Sequence, residues 1–212
     1  MTNEEKTEEN AGAGLRSFAR GLSRLKRTRR QGWIDRDVAN PESVADHSFR
    51  MALLAWVISG RAGLNRGRAI MLALVHDLAE AYAGDITPFG DLSGLSPTER
   101  RRVLQKAPER TVAEQQQWDR HKHARETEGL RVLLAGLHSQ ERAVLTALWT
   151  EYEEGQTAEA ELVKQLDKVE TWLQAQEYRA ENPGVNVESF RKQIEGMPLT
   201  PLLRAIANAD DT

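Results

Sequence analysis

Residues 67–83, GRAIMLALVHDLAEAYA, set Ile70, Leu72, Leu74, Val75 and Leu78 around an ionisable centre of His76, Asp77 and Glu80. The run is too long for a strand and holds no Pro, so it predicts a largely buried helix. Burying three ionisable groups in such a segment is costly unless something pairs them. Gly84-Asp85-Ile86-Thr87-Pro88 then ends the helix with its Gly and Pro and begins a loop.

Working outward, the run from Asp46 to Ile58 repeats the pattern with Met51, Leu53, Leu54, Ala55, Val57 and Ile58, and predicts a second largely buried helix after the turn at Asn40-Pro41. The 3.6 period returns in 128–137, 140–152 and 157–179, the last carrying Leu162, Val163, Leu166 and Val169. No alternating segment rich in Val, Ile and Thr appears at strand length, and no repeats appear. The expected fold is all-α: a single helical bundle over 15–195, with a charged helical insertion at about 92–127 that starts at Pro97 and is interrupted at Pro108. A disordered acidic tail is expected over 1–14 and a C-terminal tail over 196–212.

The 212 residues carry 29 basic and 32 acidic side chains, a formal charge of −3 that gives no electrostatic case for a nucleic-acid polymer or a membrane. There is no cysteine, which removes thiolate nucleophiles, disulfides and Cys-based zinc sites and suits a reducing compartment. With no secretory signal and no apolar run of membrane-spanning length, a cytoplasmic location is expected. Charge is uneven near the start: Arg16, Arg20, Arg24, Lys26, Arg27, Arg29 and Arg30 accompany Leu15, Phe18, Leu22 and Leu25 without one acid. That stretch reads either as the solvated face of an amphipathic helix or as a phosphate-attracting rim.

Four residues form a candidate metal cage. His47 opens one apolar helix, His76 and Asp77 lie on a second, and Asp167 sits on the last long one, so three elements of one core supply four ligands. Two imidazoles and two carboxylates suit a divalent ion such as Mn, Co, Fe, Zn or Mg. Glu80, one helical turn after His76, places a carboxylate on the same face.

The spaced elements Pro41 to His47, Leu74 to Glu80, Gly84 to Pro88 and Leu166-Asp167-Lys168 resemble the HD-domain metal-dependent phosphohydrolases, within them the 5′-deoxynucleotidase branch. Similarity runs from about Leu25 to Tyr178 and includes Leu148 to Glu153 and Ala158 to Ala160. The resemblance implies that His47, His76, Asp77 and Asp167 hold the metal, that Glu80 and Asp85 are catalytic acids, and that a nucleoside 5′-monophosphate is the small-molecule substrate. It implies that Trp33 lies near the substrate sugar, and that the protein is a homodimer, for which the helices around Leu148-Trp149 and Trp172-Leu173 offer apolar surface.

The chain departs from the bacterial members at Gly32, where they carry a phosphate-gripping Arg before the Trp; Arg30 and Arg36 are the candidate substitutes. The longer middle segment carries His121 and His123, which are two apart, face different sides of a helix and read as solvent-exposed. Two other readings stay open: HD-type hydrolysis of a cyclic nucleotide, a nucleoside triphosphate or an alarmone, and a non-catalytic helical metal-binding protein.

Overall fold

A computed structural model describes residues 3–106 and 108–209. Among the described residues there are helices and no sheet. In chain order these are α1 (Asn3–Leu25), α2 (Gln31–Ile34), α3 (Val44–Arg61), α4 (Arg66–Val75), α5 (Glu80–Ala83), α6 (Pro97–Val103), α7 (Val112–Leu134), α8 (Ser139–Glu154), α9 (Ala158–Glu181), α10 (Glu188–Gly196) and α11 (Pro201–Ala207). A single bridge, Arg29 to Ser43, ties the strap after α1 to the start of α3. No helix among the described residues is long and apolar enough to cross a membrane.

α9 is the hub, because it is apolar on several faces: Val163, Leu166, Val169 and Ala175 are all fully buried. It packs against α3, α4, α8, α10 and α11. The ends of the chain differ from expectation. The tail expected over 1–14 continues α1 back to Asn3, since no Pro interrupts it and Ala11 and Ala13 favour helix; Met1 and Thr2 lie outside the described residues. The tail expected over 196–212 instead holds α11, whose Leu203 is fully buried and whose Ala207 carbonyl accepts a hydrogen bond from Trp172 Nε1 at 3.0 Å; residues 210–212 lie outside the described residues. An apolar Leu-Leu pair after Pro201 made that helix legible.

α3 starts in a capping box: Asp46 N–H donates to Ser43 Oγ at 3.2 Å and Ser43 N–H donates to Asp46 Oδ2 at 2.8 Å. That cap sets the register that turns His47 into the core one residue later. The helix expected over 67–83 is divided. α4 ends at Val75 with His76 as its C-cap, and i→i+3 bonds, Leu78 N–H to Val75 O at 3.1 Å and Glu80 N–H to Asp77 O at 3.1 Å, carry the chain into α5. The tightened turn lets two consecutive residues reach one point, which a regular helix denies them. Gly84, at φ +74°, then reverses the chain into the loop carrying Asp85.

The expected burial of α3 and α4 is only half correct. Phe49, Leu53, Trp56 and Val57 recur at helical spacing on the outer face of α3, and Met71 and Leu74 are exposed on α4, with Phe49 66% exposed. Leu148, Trp149 and Trp172, expected to offer a shared interface, are instead buried within the chain.

The insertion supplies α6, with Pro97 in its first turn behind the Ser96 cap, and the first half of α7, which begins after Pro108; Ala107 lies outside the described residues. Its later half presses on the divided segment. A Cβ on Gly129 would stand 2.5 Å from Ala79 O, so the backbones meet without a side chain between them. Helix propensity favours Ala over Gly by about 1 kcal/mol, but forcing a methyl against that carbonyl costs about 1–3 kcal/mol. Gly129→Ala is therefore expected to lower the melting temperature in a thermal unfolding scan, and a rise would contradict this packing.

Candidate metal centre

His47 and His76 bring their Nε2 atoms to 3.3 Å from one another. Asp77 Oδ2 lies 3.0 Å from His76 Nε2 and 3.9 Å from His47 Nε2, and Asp167 Oδ1 lies 3.3 Å from His47 Nε2. The ligand atoms of His47, His76 and Asp167 all fall within 4.8 Å of each other, and all three residues are buried. The four dispersed residues expected to form a cage thus converge.

The other ring nitrogens decide what that point requires. His47 Nδ1 faces Glu170 Oε2 at 2.5 Å and His76 Nδ1 faces Ala73 O at 2.7 Å, both acceptors, so each Nδ1 carries a proton and each Nε2 is the nitrogen turned to the cluster. Two imidazole nitrogens and two carboxylates around one buried point call for positive charge among them, whether a proton or a metal cation. Burial and Arg30 pull the His47 imidazole down, but Glu170 and Asp167 outweigh them and hold it up at about 9. The proton held there marks the position a divalent cation relieves in the same way. The donor set therefore fits a borderline-to-hard divalent ion.

Around this point each charge has a physical cause. Burial pushes Asp77 up, but His76 and Arg30 outweigh it and hold the carboxyl well below the usual carboxylate range. Burial likewise opposes Asp167, and Lys168 (Nζ at 2.7 Å) together with His47 holds it low. Glu80 goes the other way: burial, Asp77 and Asp85 push it well above the usual range, and its Oε2 is buried without a hydrogen-bond partner among the described residues. Asp85 is raised by burial and by Asp77 against the pull of Arg30, and its Oδ2 accepts the Gln31 N–H at 2.6 Å.

The arginine-rich stretch divides between its two readings. The basic residues of α1 lie on a solvated face; Arg30 alone enters the cluster, donating from Nη1 to Asp77 Oδ2 and from Nη2 to Thr171 Oγ1, each at 3.1 Å. Arg36 does not join it. Its guanidinium donates to Asn186 O, Gly32 O and Ser189 Oγ and lies 4.2 Å over the Phe190 ring, which makes it a strap between α2 and α10. Trp33 is 1% exposed, packs on Tyr178 and Phe190 and donates from Nε1 to Glu42 Oε1, so it is a core residue in place of the expected sugar wall. His121 and His123 lie on α7 and belong to neither ligand group, His123 being stacked on Trp149.

Sequence reading missed Glu170 and its support. Glu170 stands three residues after Asp167 on the inward face of α9, and Arg50 Nε donates to its Oε1 at 2.6 Å while Arg50 Nη1 reaches Glu177. The i,i+3 spacing of two acids on an apolar helix was the available signal. Glu42, His47 and Glu170 also approach one another, but Glu170 is occupied with the His47 Nδ1 proton and Glu42 with Trp33, so that group supports the cage from behind.

A model of the HD domain family matches residues 22–202. The 5′-deoxynucleotidase HDDC2 of Mus musculus is 39% identical over 88% of this chain and 81% of its own length. The Homo sapiens protein of the same name is 41% identical over 79% of this chain and 71% of its own. Among solved structures, a conserved hypothetical protein from Pyrococcus furiosus superposes with a TM-score of 0.61 at 27% identity, covering 90% of this chain and 95% of that one.

Manganese added to metal-stripped protein is expected to raise its melting temperature, by about 2.7 kcal/mol of stabilisation at 100 times the dissociation constant. His76→Ala should abolish that shift, and Glu170→Gln should weaken metal affinity about 10–100-fold by freeing the His47 ring. Because metal must displace the proton that His47 holds up to about 9, affinity should fall by about tenfold for each pH unit below that value. Calorimetric titration at several pH values reads this directly; an affinity independent of pH would contradict the arrangement.

Proposed function

The chain belongs to the HD-domain family, and from that premise we propose that it is a metal-dependent 5′-deoxynucleotidase, converting (deoxy)nucleoside 5′-monophosphates to nucleoside and phosphate. The observation that carries the reading is Glu80. A buried carboxylate with one unpartnered oxygen, beside a His-His-Asp-Asp cluster and a lone arginine, is suited to proton transfer from water.

His47, His76, Asp77 and Asp167 would hold the ion, which when bound supplies charge neutralisation for the phosphoryl group and lowers the pKa of water. Arg30 grips the phosphate, exchanging its bond to Asp77 for phosphoryl oxygens. With the charge of Asp77 taken up, Glu80 ionises and accepts at Oε2 the proton of the water that attacks phosphorus. The P–O5′ bond breaks, and Asp85, held above the usual carboxylate range, passes its proton to the leaving 5′ oxygen. Oδ2 of Asp85 is engaged by Gln31 N–H, which leaves Oδ1 for that transfer.

A homodimer belongs to the same reading, now through the outer face of α3 and α4. The stripe Phe49, Leu53, Trp56 and Val57, continued by Met71 and Leu74, is an apolar patch of the kind that association covers. A cytoplasmic location accords with the cysteine-free composition.

Ribo- and deoxynucleoside monophosphates offered with each of Mn, Co, Mg and Zn to stripped protein should release phosphate, the deoxy series faster. With nucleoside triphosphates and cyclic nucleotides added to the panel, pyrophosphate released from the former or an opened ring in the latter would point to another HD-type reaction. Glu80→Gln is expected to lower kcat by about 10²–10⁴-fold while metal binding persists; Arg30→Ala should raise KM. In sedimentation experiments Leu53→Glu should convert a dimer to a monomer, and a wild-type protein that is monomeric at micromolar concentration would remove the dimer from the reading.

A further inference from the structure

Tyr152, near the end of α8, is 8% exposed and sets its ring against the His76 imidazole, with centroids 5.3 Å apart and planes at 61°. Lys164 of α9 also holds it: Nζ lies 5.0 Å from the Tyr152 ring centroid and donates to the Glu153 carbonyl at 2.9 Å. An aromatic ring packed on one of the cluster's imidazoles and capped by a cation has little freedom to turn, so the direction of its hydroxyl is set in advance.

That hydroxyl lies among the charges of the candidate metal centre. Burial, then Asp167 and Asp77, push the phenol well above its ordinary range, and Arg30 pulls it the other way. The three charged groups come from α9, from the divided segment and from the strap before α2, and they meet at the cluster, where Asp167 faces His47 and Arg30 pairs with Asp77. Both carboxylates act on the phenol through charge alone, and among the described residues no group accepts a hydrogen bond from it. A phenol is protonated at neutral pH in any case, so Tyr152 offers the centre a fixed neutral donor that the protein itself does not use.

We propose that Tyr152 is a substrate-binding residue, its hydroxyl donating a hydrogen bond to a terminal oxygen of the phosphoryl group from the α8 side of the centre. The inference rests on the 5′-nucleotidase reading above and adds a contact to it. A phosphate monoester brings several strong acceptor oxygens into a site already crowded with carboxylates, and Arg30 meets them from the α2 side only. A neutral donor held on the opposing helix satisfies a further oxygen without competing for the metal ligands, as a second cation beside Asp77 and Asp167 would. The hydroxyl moves no proton in the reaction; it holds and orients the group on which water acts.

The test uses Tyr152→Phe, which keeps the ring against His76 and removes only the hydroxyl. Calorimetry measures Mn binding to the stripped proteins and then inorganic phosphate binding to the Mn-loaded ones, with a melting curve as the check on folding and kcat and KM for dAMP alongside. Mn affinity and melting temperature should stay within about twofold and a degree or two of wild type, whereas phosphate should bind about tenfold or more weakly and KM should rise by a similar factor, as loss of one hydrogen bond to a charged group implies. Phosphate affinity equal to that of wild type would overturn the assignment. So would a loss of Mn affinity as large as the loss for phosphate, since the hydroxyl would then serve the metal ligands. Should wild type hydrolyse no monophosphate, the nucleotidase reading falls by itself, and the phosphate arm still decides Tyr152: weaker binding in Tyr152→Phe supports the contact, and equal or absent binding in both proteins removes it.

Discussion

Two imidazole nitrogens 3.3 Å apart, with two carboxylates beside them, form an arrangement that a helical core does not tolerate without positive charge at its centre. The rest of the structure can be understood as the means of holding that repulsion in place. Glu170 and the Ala73 carbonyl lock the two rings from behind, so neither can rotate away. Arg50 then neutralises Glu170 and reaches on to Glu177, so the support runs outward to solvent along α9.

α9 serves both the core and the chemistry because its faces differ. Leu166, Val169 and Ala175 bind it to the surrounding helices, while Asp167, Glu170 and Thr171, at i, i+3 and i+4, meet His47 and Arg30. The divided segment between α4 and α5 solves a different problem. Adjacent residues on a regular helix diverge by about 100°, and the tightened turn after Val75 lets His76 and Asp77 converge. Its position is held from outside by α7, whose Gly129 meets Ala79 backbone to backbone.

The short α2 is tied to the cluster at its start: Arg30, which precedes it, meets Asp77, and Gln31 joins it to Asp85. Gly32 sits beside Phe190 and the Arg36 guanidinium, which is committed to bracing α10, so no cation stands at position 32. The positive charge facing the cluster comes instead from two residues earlier.

Helical class and the ionisable residues that converge were legible in the linear chain, because helix is a local periodicity and because ionisable residues inside apolar runs are conspicuous by their burial cost. His47, His76, Asp77, Asp167 and the unpaired Glu80 all stood out on that ground. The ends of the chain were misread as tails: Pro201-Leu202-Leu203 was a local helix signal, but what α11 packs on, α9 and Trp172, is set by tertiary contact. The choice between Arg30 and Arg36, the retreat of Trp33 into the core and the role of Glu170 depended on contacts spanning 47, 136 and 123 positions respectively. In those contacts Arg30 reaches Asp77, Tyr178 braces Glu42 under Trp33, and Glu170 locks His47. Sequence by itself determined the helical class and which ionisable residues lie within apolar runs, because residue type and spacing are local. Only the tertiary structure decided which way each side chain faces, because that is settled where separate helices compete for the same space and charge.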